Sequence, residues 1–580
     1  MGVGESLKRV DALEKVTGGA KYVGDLEPSG ALVARIVRST IANGLVKHID
    51  LSEALRTPGV VKIVTCFDVP EIDFPTPGHP WSVEPAHQDV RDRRLLNTRV
   101  RFYGDEIAAV IAENGIAAER AARLVKVEYE EYEPYVTVHQ AMAEDARAIH
   151  EEKPNNVLAH SHYAVGEVGF DEAAKESGLV RMEETYQTQI VQHCHLEPVH
   201  SYAYMEKGRV VVVSATQIPH IVRRVIGQAL GIPLGKVRVV KPYIGGGFGN
   251  RQDVLTEPLN AYLSMQVGGR PVKLELTREE TFTCSRVRHP IEFRVSALAR
   301  RDGTLVARKV EAFSGQGGYA SHGHSIVANA VTMFKWLYHD EKAVEGDAWT
   351  VYTNLAVGGA MRGYGIPQAD FATEAMADDL ARKLGVDPLD FRLQNGIREG
   401  YVDPHTGIPF LSYGLRDCLL RGREAFRWDE KRAQYHNQQG PVRRGVGMAM
   451  FCYKTGVHPI SLETAGCRMT LNQDGSVMIQ MGATEIGQGA DTVFTQMAAQ
   501  ALGITEDRIY LESTQDTDIS PFDTGAYASR QTYVGGMAVR EAAEELKKKI
   551  LDYAAYMLGC QSSALDLVNN QVVPKDDGFP

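Results

Sequence analysis

The chain has 580 residues, a net charge of −11, 44% apolar and 24% charged residues. This is ordinary globular composition for three or four domains at about 150 residues each. The acidic balance excludes a nucleic-acid surface, which needs clustered Lys and Arg. The seven cysteines are scattered, with no CxxC pair, which excludes a zinc knuckle or a thiolate-held iron–sulfur cluster in this chain.

Unclustered cysteines read as reduced thiols of a cytoplasmic protein. The opening MGVGESLKRV has no apolar core, and no apolar run approaches about 18 residues, so neither a signal peptide nor a membrane span is expected. Residues 1–150 alternate short β-like runs (LVARIVRST, VVKIVTCFDV, EIAAVIAE) with helical pieces such as IAAERAARL, the pattern of an α+β module. The Pro-rich run FPTPGHPWSVEPAH reads as a long surface loop or an arm crossing to a neighbour, and residues 151–180 as a polar linker.

Strands then lead to a helix, PHIVRRVIGQALG, in which Ile221, Val222, Val225, Ile226 and Leu230 share one face. Next comes KVRVVKPYIGGGFGNR, a strand opening into a loop of Gly245, Gly246, Gly247, Phe248 and Gly249. Such a loop lets backbone amides approach a ligand closely. Leu255, Leu259 and Tyr262 follow at helical spacing, so the loop is expected at a helix N-terminus, where free N–H groups favour anionic oxygens. A GxGxxG fingerprint fails here because Ile244 and Asn250 are not glycine, and no GxxxxGK[ST] occurs.

His193, His195 and Glu197 fall on alternate positions of HCHLE. They converge poorly as metal ligands from one strand, and a polar strand face is expected instead. GQGGY at 315–319, followed by Ser321, His322 and His324, is a loop near the site or a connection between strands. In GGAMRGYGIPQ (358–368), Arg362 sits in a glycine turn before a helix beginning near Pro367, placed to clamp an anion or present its amide. No GxSxG or HExxH supports hydrolase chemistry.

An internal repeat joins these pieces. Residues 208–251 match 475–530 element by element: strand, Ala-Thr-Gln/Glu-Ile, helix, Ala-Leu-Gly-Ile, strand, small-residue loop with one aromatic, Arg. The second copy adds its own turn, Gly487-Gln488-Gly489. Two related domains would each present a loop of amides, with a long ligand between them.

In order along the chain, RVDALEKVTGGAKYVGDL, GDEIAAVIAE, SATQIPH, GGGFGNRQD, AMRGYGIPQ, GATEIGQGADT and TGAYASRQTYVGG resemble the molybdenum-binding subunit of the xanthine dehydrogenase/oxidase family, bacterial multi-subunit members above all. The resemblance implies an N-terminal hammerhead-like α+β domain (1–150) and a linker (151–180). Two duplicated α/β molybdopterin-binding domains would follow (181–425 and 426–580), the second incomplete at its C-terminus. It implies a molybdopterin in the cytosine dinucleotide form, with FAD and [2Fe-2S] clusters on partner subunits.

By resemblance, Gln217 would bond the apical oxygen on molybdenum. Gly246, Gly247, Phe248, Gly249 and the main chain of Arg362 would bring amides toward the metal. Gly487, Gln488, Gly489, Ala528 and Ser529 would hold the pterin and its phosphates, and no side chain would ligate the metal. The implied reaction hydroxylates an electron-poor carbon with oxygen from water and passes two electrons onward.

Several positions depart from the purine-specific pattern: Gln252 stands for a glutamate, Tyr364 for a stacking Phe, and Asn329 for an arginine. The family's glutamate base, expected in a Gly-Glu motif near the C-terminus, has no candidate match toward Pro580. The expectation is therefore a truncated chain or a separate chain that completes the C-terminal domain, with activity only in the complex. Xanthine or hypoxanthine leads the substrate expectation, followed by nicotinate, another N-heterocycle or an aldehyde. A non-catalytic assembly chain and an enzyme binding NAD or FAD directly are the alternatives of other classes.

Overall fold

The computed structural model describes residues 2–79, 81–403, 407–458 and 460–575. Three sheets position the site. The largest has eight strands, and its spatial order interleaves the N-terminal module with the first repeat copy. Leu32–Arg38 pairs in parallel with Val272–Glu275 on one side and antiparallel with Glu106–Ala112 on the other. Glu106–Ala112 is buried along its whole length, which is why EIAAVIA reads as a continuous apolar run rather than an alternating one.

Both repeat copies fold as the sequence pairing requires. In the first, strand Arg209–Ser214 runs parallel to Val237–Lys241 across helix Pro219–Leu230. In the second, Val477–Met481 runs parallel to Ile509–Glu512 across helix Ala490–Leu502. Ile221, Val222, Val225 and Ile226 are buried in one core with Val212, Val237 and Val239, each such side chain contributing roughly 1.5–3 kcal/mol on burial.

The copies are joined directly. Gln515–Asp516 adds antiparallel to the edge of Val237–Lys241. Lys241, fully buried, donates to the carbonyls of Glu485 (3.0 Å) and Ser513 (3.0 Å) and to Gln515 Oε1 (2.9 Å). Burial lowers this ammonium to about 8.

Three local expectations are corrected. Within the supposed linker, Val157–Gly166 is a strand at the edge of a five-stranded sheet, paired with Ala343–Tyr352. Its alternating burial leaves one face to solvent, so its composition looks like linker. The helix after the glycine loop begins only at Glu257. The Glu257 carboxylate takes the amides of Leu255 (2.9 Å) and Thr256 (3.0 Å), so the loop does not open onto free helical amides. His193 to Glu197 is not a strand: the preceding strand ends at Gln192, and Cys194 turns the chain with φ 56°.

Candidate active site

A cavity of about 1070 Å³ lies between the two repeat loops. Gln217 closes the gap between them: Gly249 N–H donates to its Oε1 at 3.0 Å, and its Nε2 donates to Ala526 O at 2.6 Å. The main chain repeats the tie, with Ala526 N donating to Gln217 O at 3.0 Å and Thr484 Oγ1 to the same oxygen at 2.9 Å.

Each loop is pinned by the arginine that ends its repeat copy. Buried Arg251 donates to Ala215 O at 2.7 Å and Glu197 O at 2.5 Å. Buried Arg530 donates to Asp523 Oδ1 at 2.7 Å, Glu463 Oε2 at 2.9 Å and Thr464 O at 2.5 Å. These charge-assisted bonds hold backbone that would otherwise relax. Among the described residues twelve non-glycine positions have positive φ, and five of them (Cys194, Phe248, Tyr364, Ala528, Ser529) line this cavity. Strain concentrated in this way marks a functional site.

HCHLE buttresses the first loop from behind. Glu197 Oε2 accepts Gly245 N–H at 2.8 Å and faces Arg251 at 3.3 Å. His193 Nε2 bonds Ala360 O at 2.8 Å, and His195 Nδ1 bonds Glu197 O at 2.6 Å. Burial pushes these imidazoles down to about 4 and about 3, so both stay neutral as hydrogen-bonding struts.

The amides divide into spent and free. Gly249 N–H goes to Gln217 and Arg362 N–H to Phe248 O (2.9 Å). The carboxylate of buried Glu485 takes Gly487 N–H (2.6 Å), Gly489 N–H (3.2 Å) and Asp491 N–H (3.2 Å). Gly489 lies off the cavity and caps the following helix. Thus the Gly-Gln-Gly turn carries an internal anion, and the Gln488 side chain is tied to Ile486 N, Thr484 O and Gln531. Among the described residues, nothing accepts from the amides of Gly246, Gly247, Phe248, Ala528 or Ser529.

Toward the other wall stand Gln252, Asn329 and Tyr364. Asn329 Nδ2 donates to Tyr364 O at 2.8 Å, and the Tyr364 hydroxyl meets His322 Nδ1 at 3.0 Å. Desolvation raises the Tyr364 phenol well above its ordinary value, keeping it neutral. His79 from the Pro-rich run also lines this wall, its ring edge-on to His322 at 4.7 Å. The sequence marked that run as a loop, and nothing in its spacing pointed His79 at the site.

The match to known proteins follows the same architecture. Residues 17–133 match the a/b hammerhead domain of aldehyde oxidase and xanthine dehydrogenase, and residues 149–396 and 421–580 match molybdopterin cofactor-binding domains. The putative xanthine dehydrogenase molybdenum-binding subunit XdhA of Escherichia coli (strain K12) is 47% identical, over 97% of this chain and 74% of that protein. The chain belongs to the xanthine dehydrogenase family of molybdenum hydroxylases, as a molybdenum-binding subunit.

Further family relatives include the nicotinate dehydrogenase large molybdopterin subunit of Eubacterium barkeri, 34% identical over 73% of this chain and 96% of that one. The aldehyde oxidoreductase structure from Desulfovibrio gigas superposes with TM-score 0.86 at 29% identity, over 98% of this chain and 65% of that chain. The cavity fits the family's cofactor. Its lining contains Arg9, Lys15, Arg362, Lys454 and Arg530 but, among the described residues, no Asp or Glu. Free amides and a lining that carries cations but no carboxylate suit an anionic pterin phosphate. No helix among the described residues is long and apolar enough to cross a membrane.

Proposed function

We propose that this chain binds the molybdopterin cofactor, in its cytosine dinucleotide form, between the two repeat loops and hydroxylates an N-heterocycle. A purine such as xanthine or hypoxanthine is the leading substrate, and electrons pass to iron–sulfur and FAD subunits. The observation that carries this is the pair of free-amide loops, Gly246 to Phe248 and Ala528 to Ser529, around a cavity that no carboxylate lines among the described residues. The relatives named for xanthine and nicotinate support an N-heterocycle.

When bound, the cofactor supplies oxygen transfer from water and takes up two electrons. The residues of this chain do the rest. The free amides of Gly247 and Phe248 would hold the molybdenum end, and those of Ala528 and Ser529 would hold the pterin phosphates. The second Nε2 proton of Gln217 is available to the cofactor once the first is spent on Ala526 O. Gln252 and Asn329 read the edge of the ring, and Tyr364 covers one face. Among the described residues no carboxylate lines the cavity to act as a base.

Metal analysis and a substrate panel test this. About one molybdenum per chain, with cytosine nucleotide released on acid treatment and xanthine oxidised by the full complex, is the expected result. Bound flavin without molybdenum would sink the proposal.

A further inference from the structure

We propose that residues 445–455 form an open β-edge that accepts a strand from the part of the family's molybdenum-binding subunit that this chain does not span. The added strand would also steady the loop at Ala528. This concerns assembly and stands apart from the choice of substrate.

Extended backbone belongs in a sheet, because its N–H and C=O groups need partners. No helix, turn or bend interrupts residues 442–455. Met448, Met450 and Cys452 pack on the core that includes helix Ile366–Leu384, while Ala449, Phe451 and Tyr453 between them are exposed. That two-residue period is the mark of a strand with one face covered.

The ladder of this strand is missing. Among the described residues, no backbone–backbone hydrogen bond involves residues 445–455. Met450 N–H goes instead to Glu374 Oε2 at 2.6 Å, and Cys452 Sγ donates to Asp370 Oδ1 at 3.8 Å. The segment is thus anchored to a helix through carboxylates, with its other main-chain groups left as a template for pairing.

Gly445 and Gly447 are the second observation. Neither has the left-handed backbone that favours glycine, and a Cβ on either would meet nothing within 4 Å. Nothing within this chain requires glycine there. Glycine inside a strand marks the close approach of another backbone. Phe451, 75% exposed, lies four residues along on the same face as Gly447 and offers an apolar contact beside it.

The family matches bear on whose strand this is. Residues 445–455 fall in the second cofactor-binding match (421–580) but pack on a helix of the first (149–396). The sheet of the second copy has three strands among the described residues, and this segment is not one of them. E. coli XdhA extends beyond its match, since this chain spans 74% of it. The occupant is an extended strand from that unmatched portion, apolar on the face it lays beside Ala449 and Phe451.

Tyr453 and Lys454 line the cavity, and Gly456 N–H donates to Ala528 O at 2.9 Å. A strand laid along residues 445–455 therefore holds the segment that carries the Ala528 loop.

Coexpression of this chain with the unmatched portion of E. coli XdhA, as a separate tagged polypeptide, tests the edge by hydrogen exchange. The tagged polypeptide should retain this chain, and the amides of residues 445–455 should exchange about a hundredfold more slowly in the pair than in this chain alone, with residues 526–529 slowed in step. Gly447→Val crowds the approach and Phe451→Pro removes an N–H, so each should cut recovery of the pair about tenfold while leaving the melting temperature of this chain alone within about 2 °C.

No retention, or unchanged exchange at residues 445–455 in a retained pair, would overturn the proposal. Protection that this chain alone gains with rising concentration would overturn it too, by giving the edge to a second copy. Unchanged exchange at residues 526–529 would overturn the link to the cofactor loop.

Discussion

A Cβ added to Gly247 would stand 2.4 Å from Gln217 Oε1 and 2.9 Å from its Cδ. The glycine loop therefore touches the residue that ties it to the second repeat. At Gly249 the demand is twofold, since φ is 107° and a Cβ would lie 2.7 Å from Ala360 O. At Gly487 φ is 106° but a Cβ would meet nothing within 4 Å.

These differences make a paired prediction. Gly247→Ala displaces Gln217 and should lower molybdenum content several-fold, with a drop in Tm of several degrees. Gly487→Ala pays only for its backbone conformation, about 1 kcal/mol, and should keep most of its metal. Elemental analysis and thermal melting of both variants decide it. Equal metal content would refute the role given to the Gly247 contact.

Gln217 itself should tolerate no shortening. Gln217→Ala leaves the amide of Gly249 and the carbonyl of Ala526 without their side-chain partner, at about 1–3 kcal/mol for each buried group left unsatisfied. Gln217→Glu keeps the acceptor for Gly249 but loses the donor to Ala526. The glutamate variant should retain more stability than the alanine variant while still binding less cofactor. Denaturant unfolding and molybdenum content, measured together, separate the two losses.

Glu485 stands where a bound phosphate was expected, taking the amides of Gly487, Gly489 and Asp491 and contacting Arg9 at 3.5 Å. Arg9 also donates to Gly487 O at 2.8 Å, which brings residues 2–17 down onto the second repeat. Glu485→Gln should loosen both the turn and this N-terminal segment. Proteolytic cleavage near Arg9 should rise several-fold while cleavage at distant loops stays constant. Unchanged cleavage would show that the segment is held by its other contacts, such as Val3 N to Gln500 Oε1 at 2.7 Å.

Much of this was legible in the sequence because the repeat fixes element order. Ala215-Thr216-Gln217-Ile218 and Ala483-Thr484-Glu485-Ile486 announced two equivalent strand-to-helix turns, and both lie at the cavity's seam. The roles of the paired positions were not legible. Gln217 bridges the loops while its counterpart Glu485 neutralises its own turn, a division set by long-range contacts. Val157–Gly166 was misread because an edge strand with one wet face has linker composition. His79 was missed because folding alone brings its loop to the cavity wall, from a segment outside both repeat copies.

The buried histidines behind the glycine loop contribute to a pH limit that His200, His220, His289 and His324, each lowered to about 4 by burial, share. Burial holds His193 down to about 4 and His195 down to about 3, against roughly 6.5 in the unfolded chain. The folded state binds fewer protons than the unfolded one in this window, so stability is full above about 6.5 and is lost as pH falls toward 4 and 3. The part of the fall in Tm that these two groups carry should therefore begin near pH 6.5. Replacing His193 by Asn removes one titrating group, so the variant should be less stable at pH 7 but show a shallower slope between pH 6.5 and 4. Melting curves across that range test this, and parallel slopes for the two proteins would show that His193 does not carry the effect.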